Sequence, residues 1–415
     1  MLIYKKFTIC FTSSVFYNPL DSHADIIFKF LLTFDNYMDV LKKVAILSDA
    51  GRFDSCASTA SHRSVKTYDR IGNAAKGGIC HSFSSIDGRC IALFKTLYTN
   101  HCTHDCKYCL NSGCAKKSKD VAMFKPDEFA KVFMSLYVRN YVEGLFLSSG
   151  ICKDSDYTTE LMLEAVKIIR EKYKFAGYIH FKALPGVSRH LLKEAEKFSD
   201  RISINIEMPN KTRLNEVTSV KDYKIDILRR QRWIKYLKLP AGQTTQLVVG
   251  GCNETDKEIL KMVNWQYQNM KLKRVYYSAF QPVKGTLFEH KQAVPLTRET
   301  RLFNVDWLVR VYDYKMQEIY KILDDNNNLP DEDPKIVYAK QYFDKPVDVN
   351  HAEFHDLIRV PGIGPVSATR ILRLREKGKT INKRQELHNI GVVLKRAEPF
   401  IKINGYVQRT ITSFT

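Results

Sequence analysis

The chain has 415 residues, which is long enough for two or three domains with a large core. Its hydrophobic content of 44% and charged content of 27% are those of an ordinary soluble protein, and no run approaches the roughly 20 apolar residues that cross a bilayer. The net charge of +20 favours a polyanionic partner such as nucleic acid, and ten cysteines, three of them clustered, favour metal chemistry in a reducing, cytoplasmic compartment over a disulfide framework.

Residues 1–37 are predicted to be an N-terminal extension outside the fold. Their apolar run is broken at Asn18-Pro19 and lacks a small-residue cleavage site, so a secretory signal fits poorly. An amphipathic pattern begins at Met38, and residues 38–90 are expected to form a segment preceding the main domain.

Predicted strands and helices alternate between residues 91 and 323. About six strands, each followed by a helix, indicate an α/β fold with a parallel sheet, and we favour a partial (β/α)6 TIM-like barrel over an open doubly wound sheet. The predicted strands are Ile91–Tyr98, Gly144–Leu147, Tyr178–Ala183, Arg201–Met208, Thr244–Val249 and Arg274–Phe280.

Two of these strands carry polar residues on one face. The period of two places His180 and Lys182 together on the third strand, and Asn205 with Glu207 on the fourth. Polar faces inside a parallel sheet are unusual unless something polar binds there, so we predict that His180 and Lys182 meet substrate. A solvent-facing edge strand is the alternative.

Three cysteines follow the first predicted strand in the run His-Cys-Thr-His-Asp-Cys-Lys-Tyr-Cys, as Cys102, Cys106 and Cys109. Iron–sulfur clusters are normally held by four cysteines, so three ligands leave one iron open for another molecule. The alternative is a closed zinc site that recruits Cys114 or a neighbouring histidine, although zinc modules usually present two separated cysteine pairs.

The Cys-x3-Cys-x2-Cys spacing with Tyr108 before the last cysteine resembles the radical S-adenosylmethionine (SAM) superfamily. The resemblance implies a [4Fe-4S] cluster whose open iron binds SAM and whose electron cleaves it to a 5′-deoxyadenosyl radical. It also implies an electron donor such as flavodoxin or ferredoxin.

A second motif lies beyond an acidic, proline-marked stretch, and residues 324–350 are predicted to be a linker. The sequence from Leu357 to Ile371 resembles a helix-hairpin-helix, with the turn formed by Pro361, Gly362, Ile363 and Gly364. Amide groups at the start of the second helix would bind a phosphate. We therefore assign residues 351–405 to an all-α helix-hairpin-helix DNA-binding domain, with a degenerate second hairpin after Leu387.

Local charge agrees with this assignment. Residues 351–415 carry 12 Lys or Arg against 5 Asp or Glu, and Arg370 and Arg373 follow the turn. Such residues contact phosphates without reading sequence. A hairpin used only for protein contacts is the alternative.

The combination resembles a narrower group, the radical SAM proteins assigned to DNA modification or repair. The resemblance spans about residues 43–405 and includes Lys76-Gly-Gly-Ile-Cys-His-Ser82 and Glu143-Gly-Leu-Phe-Leu-Ser-Ser-Gly150. It implies a uracil-DNA-glycosylase-like partner, and it implies cofactor contacts that we place at Tyr108, Ser148, Ser149, Gly150, Asn205, Glu207, Val249, Gly250 and Gly251.

Three further cysteines precede the cluster motif, namely Cys56, Cys80 and Cys90. They are candidates for a second metal site or for a hydrogen-atom donor, and burial as inert thiols is equally consistent with the sequence.

The sequence thus favours a radical SAM enzyme that modifies or repairs DNA, with the target nucleotide extruded from the duplex because stacked atoms are out of reach. An enzyme acting on RNA, especially transfer RNA, is the second hypothesis. A non-catalytic iron–sulfur protein that binds nucleic acid is the third.

Overall fold

The computed structural model describes residues 34–51, 66–83, 90–116 and 120–407. The predicted extension, residues 1–37, lies outside these ranges except for its last four residues, which begin the first helix. In the described ranges, no helix combines the length and apolarity needed to cross a membrane.

The main domain is a sheet of seven strands covered by helices. Strands lie in chain order from β1 to β7, with β1 antiparallel to β2 and every later pair parallel. The strands are β1 Ile79–Phe83, β2 Cys90–Leu97, β3 Gly144–Ser148, β4 Tyr178–Lys182, β5 Arg201–Ser203, β6 Gly242–Val249 and β7 Arg274–Ala279. The two edge strands β1 and β7 do not pair, so the barrel is open, and the predicted partial (β/α)6 architecture is confirmed with one extra strand, β1.

Among the described residues, two helices precede β1, and each strand from β2 to β7 is followed by one helix or, after β5, by two. The helices are α1 Phe34–Gly51, α2 Arg70–Ala75, α3 Pro126–Val138, α4 Ser155–Lys167, α5 Arg189–Phe198, α6 Lys211–Val217, α7 Arg229–Lys235, α8 Asp256–Met270 and α9 Leu296–Val311. Their starts are encoded locally, because α3 begins with a proline and acids, and Thr255 forms a capping box with Glu258 before α8. Turns of π-helix extend α4 at its end and precede α7.

Alternation along β4 separates the core from the lumen of the barrel. Ile179 and Phe181 are fully buried against the helices, whereas His180 and Lys182 belong to the opposite face. The fourth predicted strand is shorter than expected. It ends at Ser203, and the chain rejoins the sheet only through an isolated bridge between Glu207 and Leu247.

The C-terminal part begins with α10 Met316–Tyr320 and α11 Pro334–Tyr342. The second of these lies inside the predicted linker, residues 324–350, so that segment is not simply an irregular connection: Tyr338 and Ala339 are buried and α11 packs on α9. The last elements are β8 Val347–Asp348, α12 Phe354–Arg359, α13 Pro365–Glu376, α14 Arg384–Asn389, α15 Leu394–Ala397, β9 Ile401–Ile403 and β10 Tyr406–Val407. The domain is therefore not strictly all-α, because β8, β9 and β10 form a small sheet beside the helices.

Candidate active site and nucleic-acid interface

A cavity of about 550 Å³ lies at the carboxyl ends of the barrel strands. Its volume is that of a typical small-molecule site. It is lined by all three motif cysteines and by residues from every parallel strand or the loop after it, among them Cys102, Cys106, Tyr108, Cys109, Ser148, Ser149, Gly150, Lys182, Asn205, Glu207, Lys221, Gln246, Val248, Ser278 and Glu299.

The cysteine loop, residues 100–116, is fixed from outside by the chain that follows α6. The Asp105 carboxylate accepts hydrogen bonds from the Ser219 amide and from the hydroxyls of Ser219 and Thr218. Although partial burial alone would raise it, these bonds lower the pKa of Asp105 to about 2. The Lys107 amide also donates to the Val217 carbonyl at 2.9 Å. The three cysteines are therefore presented on a pre-ordered loop.

The thiols share an apolar setting. Burial raises the pKa of Cys109 to about 12 and also raises the pKa of Cys106, and each thiol feels the charge of the others. Cys106 is the most enclosed of the three, and the buried ammonium of Lys221 lies beside it. Although burial alone would lower it, Cys106 and Glu207 raise the pKa of Lys221, so a cation stands next to the thiolate that a metal would need.

Cys114 is oriented differently from the three motif cysteines. Its sulfur contacts the Ser112 hydroxyl at 2.9 Å and the Asp105 carbonyl oxygen at 3.4 Å, and it does not line the cavity. Among the described residues, no three His, Cys, Asp or Glu side chains converge on a point where a single metal ion would sit. A cubane cluster does not require such convergence, because each thiolate binds a different iron.

Two buried polar atoms at this cavity are unsatisfied. Among the described residues, the Ser149 hydroxyl and Nδ1 of His104 find no hydrogen-bond partner, and both side chains line the cavity beside the cysteines. Buried polar atoms without partners are rare in native proteins and call for a bound group. The cysteines and these orphaned atoms together fit a cluster with a polar ligand beside it.

Gly150 lies where the loop after β3 meets the cysteine loop. A Cβ atom there would collide with the carbonyl oxygen of His101 and lie 3.2 Å from the Cys102 side chain, and the Gly150 amide donates to the Thr99 carbonyl at 2.8 Å. The residue must therefore be glycine to let the two loops touch, whatever it contributes to cofactor binding.

Glu207 is the strained residue of the site. It has φ +62°, a conformation that costs a non-glycine residue about 1–3 kcal/mol, and it is buried. Its carboxylate accepts hydrogen bonds from the Lys221 ammonium at 3.4 Å and from the Asn205 amide at 3.5 Å, and burial together with the nearby Glu207 charge raises the pKa of Tyr108 in the cysteine loop. Strain held in place by such a network is typical of functional positions, and here it ties the cysteine loop to the end of β5.

Val249, Gly250 and Gly251, three of the residues predicted to contact the cofactor, do not line the cavity. Val249 is fully buried in the core behind the sheet, and the two glycines pack against Val294 and Met208 rather than lining the cavity. Because side chains alternate along β6, Gln246 and Val248 face the cavity instead.

His180 and Lys182 lie in different layers of the lumen. The His180 ring stacks on Phe146 at 4.1 Å and pairs with the Ser203 hydroxyl at 2.7 Å, so it is enclosed beneath the cavity. Burial and nearby cations lower the pKa of His180 well below its ordinary value, which keeps it neutral. Only Lys182 lines the cavity, and the predicted substrate contact at His180 is not supported.

The extra cysteines are not brought together. Antiparallel pairing sets Cys80 opposite Leu93 and Cys90 opposite Phe83, which places the two thiols on opposite faces of the β1–β2 hairpin. Cys56 lies outside the described residues. The described pair therefore cannot chelate one metal together without rearrangement of the strands.

The first hairpin joins α12 to α13 through Pro361–Gly364. Gly362 has φ +85°, and a Cβ atom there would collide with the Val393 carbonyl oxygen. Ile363 is fully buried and anchors the turn in a small core, while α13 begins with Pro365 directly after Gly364. The first amides of α13 are thereby available for an anion.

The second hairpin mirrors the first. Gly391, with φ +92°, takes the place of Gly362, and α14 and α15 take the places of α12 and α13. The contacts are reciprocal: the Val393 amide donates to the Gly362 carbonyl at 2.9 Å, and the Ser367 hydroxyl donates to the Ile390 carbonyl at 3.2 Å. Residues 354–397 form one two-hairpin unit.

Some basic residues of this unit are structural. Arg370 donates to the Ile390 carbonyl at 3.1 Å, and Arg375 donates to carbonyls before α12. Arg396 pairs with Asp333 at 2.6 Å. Arg373 has no such contact among the described bonds, and Lys377, Lys379 and Lys395 are exposed. The unit therefore retains a basic surface after its internal contacts are counted.

The two-hairpin unit is joined to the barrel part by buried charges. Arg359 of α12 is 1% exposed and pairs with Glu318 of α10 at 2.7 Å. The Lys335 ammonium of α11 donates to the Ile363 carbonyl at 2.6 Å and lies 4.2 Å from the centre of the Tyr312 ring. These contacts fix the hairpin turn against helices that pack on the barrel.

Several site residues have weak sequence signals. Gln246 could have been found from the alternation along β6, whereas Lys221 and His104 lie in irregular segments whose side-chain directions no period predicts. Glu299 enters the site from the first turn of α9, where its carboxylate accepts the Ala279 amide at 2.7 Å.

Comparison with known proteins agrees with both motifs. Residues 96–265 match the model of the radical SAM superfamily, and residues 343–397 match that of the helix-hairpin-helix motif. The chain accordingly contains both, and it is an enzyme that uses a [4Fe-4S] cluster and SAM. The non-catalytic hypothesis is therefore wrong. No curated protein matches the sequence.

Solved structures resemble the fold at low identity. Methylornithine synthase (PylB) is 14% identical with a TM-score of 0.42, over 68% of this chain and 75% of that one. HydG, a maturase of the [FeFe]-hydrogenase, is 11% identical with a TM-score of 0.43, over 68% of this chain and 63% of that one. Similarity at this level says nothing about the substrate of the present chain.

Proposed function

We propose that this enzyme, whose radical SAM domain is followed by a two-hairpin unit, modifies or repairs DNA. The unit would hold the phosphate backbone, and the cavity would receive the target nucleotide. The cluster and SAM, when bound, supply a 5′-deoxyadenosyl radical that abstracts a hydrogen atom.

The observation that carries the proposal is the rigid attachment of the hairpins to the barrel. The Arg359–Glu318 pair is buried, and Lys335 holds the turn itself through the Ile363 carbonyl. Breaking a buried pair costs about 3–5 kcal/mol, so the hairpins keep a fixed position relative to the cavity. A phosphate bound at the turn would therefore set the distance from the nucleic acid to the cysteines.

In the cavity, Cys102, Cys106 and Cys109 would hold the cluster. The orphaned Ser149 hydroxyl and the Glu207 carboxylate, which Lys221 and Asn205 orient, lie where they could bind the polar end of SAM. Lys182, on the far wall of the same cavity, is placed for an anionic or hydrogen-bonding group of the substrate. An electron donor such as flavodoxin or ferredoxin would reduce the cluster.

The compartment follows from the same chemistry. The described cysteines form no disulfide, and a thiolate-bound cluster persists only where thiols stay reduced. We therefore place the enzyme in the cytoplasm.

The test is anaerobic turnover of the reconstituted, reduced enzyme with deuterated DNA. Deuterium should appear in 5′-deoxyadenosine, because the abstracted hydrogen atom comes from the substrate. The same experiment with a matched deuterated RNA duplex distinguishes the DNA hypothesis from the RNA hypothesis. It is needed because phosphate contacts at a hairpin discriminate only weakly between deoxyribose and ribose. Production of unlabelled 5′-deoxyadenosine at the same rate with and without either nucleic acid would refute the proposal.

A further inference from the structure

One tryptophan differs from the other two in its surroundings. Trp233 and Trp265 are half-buried and pack against the two cores of the main domain, whereas Trp307 belongs to neither core and is 51% exposed. A tryptophan ring is among the largest apolar surfaces that a side chain can offer, so a half-exposed indole leaves a broad face for a partner to stack on.

The position of Trp307 connects it to the first hairpin. Its indole lies near the side chain of Tyr312, which directly follows the end of α9. The Tyr312 hydroxyl is 3.2 Å from the place a Gly364 Cβ atom would occupy. Tyr312 therefore contacts the hairpin turn on one side and lies near the indole on the other.

A paired arginine and two exposed valines lie around this position. The Arg310 guanidinium lies 6.0 Å from the Trp307 ring centre and is itself held by the buried Asp306 at 2.7 Å. Val366 and Val393, which flank the two hairpin turns, are 64% and 53% exposed. An apolar surface next to a phosphate site and basic residues suits nucleic acid better than a neutral protein face.

Helix α9 relates this position to the cavity. Leu296 at its start lines the cavity mouth, and Trp307 follows eleven residues later, a rise of about 16 Å at 1.5 Å per residue. A strand that runs from the hairpin to the cavity would therefore pass along this helix.

We propose that Trp307 is a base-stacking platform: the strand whose phosphate is held at Pro361–Gly364 lays an unpaired base on the exposed face of the indole. This inference rests on the proposed function, since it needs a nucleic acid at the hairpin. It adds a base contact outside the cavity and predicts a preference for single-stranded or locally unpaired substrate over intact duplex.

The test uses Trp307 as its own reporter. In the full-length, reconstituted protein carrying Trp233→Phe and Trp265→Phe, a single-stranded oligonucleotide should quench the remaining tryptophan fluorescence. The quenching should saturate together with the anisotropy of the labelled oligonucleotide, which reports binding independently. Unchanged fluorescence at saturating oligonucleotide would overturn the proposal.

Affinity gives a second readout. A base–aromatic stack contributes about 1–3 kcal/mol, so Trp307→Ala should weaken single-strand binding by about 5- to 150-fold. Trp307→Phe should retain most of the affinity, because the aromatic face remains. Tyr236→Ala is the matched control, since Tyr236 is 70% exposed directly after α7 and should have no effect.

The variants also separate the explanations. If Trp307→Phe binds as weakly as Trp307→Ala, the indole N–H rather than stacking is responsible, and the platform is refuted. If fluorescence and affinity are unaltered while the hairpin variants lose binding, only the platform is refuted. If the unaltered protein shows no anisotropy change with any oligonucleotide, the proposed function fails as well.

Discussion

The cysteine loop and the first hairpin are both irregular segments fixed by the side chain of an ionisable residue. They differ in which side of the segment that side chain contacts. The loop is held by a carboxylate at its edge, because Asp105 accepts hydrogen bonds from Thr218 and Ser219. The hairpin is held from beneath by a buried lysine, because the Lys335 side-chain nitrogen donates to the Ile363 carbonyl.

The difference corresponds to what each turn must leave accessible. The loop points its thiols inward to the cavity, so its anchors lie on the outer side. The hairpin would present amides outward to a phosphate, so its anchor lies inside. One turn is therefore built to enclose a ligand and the other to meet a surface.

Removing a cluster ligand should have the largest effect. We expect Cys106→Ala to reduce the iron content of reconstituted protein from about four per chain toward zero, since two thiolates cannot hold a cubane. SAM cleavage should be lost with it. Cys114→Ala is the matched control, because its sulfur does not line the cavity. Equal iron loss in both variants would contradict our assignment of the ligands.

The second-largest effect is expected from a substitution in the turn of the first hairpin. Gly362→Ala introduces a Cβ atom at φ +85° that collides with the Val393 carbonyl. We expect a loss of about 1–2 kcal/mol from backbone strain and a further 1–3 from overpacking, with loss of DNA binding and unchanged iron content. Gly378→Ala has φ +68° but open space around it, so it measures strain alone. The account fails here if denaturant titration finds the two variants equally stable.

The buried side chain of Lys335 predicts that the free energy of unfolding depends on pH. Burial, with help from the Arg396 and Arg359 cations and against Asp333, lowers the pKa of Lys335 from 10.5 to about 7. Between those values the unfolded chain holds a proton that the folded chain lacks, so the free energy of unfolding rises with pH, by at most about 1.4 kcal/mol per unit.

Lys335→Met should remove this slope. The stability difference, unaltered protein minus variant, should therefore grow from pH 7 to pH 10 in urea titrations and stay constant below pH 6. A difference that is flat or falls over the upper range would show that the ammonium is not buried as described.

The smallest effect is expected at the edge of the cysteine loop. Asp105→Ala removes the acceptor for Thr218 and Ser219 and should destabilise the loop by about 1–2 kcal/mol. Its measurable consequence is faster loss of iron to a chelator, with little change in global stability. Asp127→Ala, at an exposed salt bridge on α3, should leave the rate of iron loss unchanged. Equal rates for the two variants would mean that other contacts order the loop.

The two regions also differ in how far the sequence predicts them. The hairpin unit is local, because Gly362 and Ile363 meet partners within about forty residues, and its motif and turn could be read directly. In the barrel, the three motif cysteines lie close together in the sequence. The order of the strands follows from the alternation of predicted strands and helices. Alternation along β6 also places Val248 on the same face as Gln246 and Val249 on the other face.

Other features of the site depend on tertiary packing alone. The approach of Lys221 to Cys106 joins residues more than a hundred positions apart, and the Phe146–His180 stack closes the lumen beneath Lys182. Neither could be predicted without knowing how the sheet curves. The sequence gives no signal for Trp307 for the same reason, because its exposed position beside the hairpin becomes apparent only in the folded structure.

The central claim is that three thiolates leave one iron open for SAM. It is tested most directly by electron paramagnetic resonance of the reduced cluster with and without SAM labelled with ¹⁵N at its amino group. The account predicts an altered spectrum and a hyperfine coupling from the labelled nitrogen. A spectrum that does not change on adding SAM, from a cluster with all four irons bound by side chains, would contradict it.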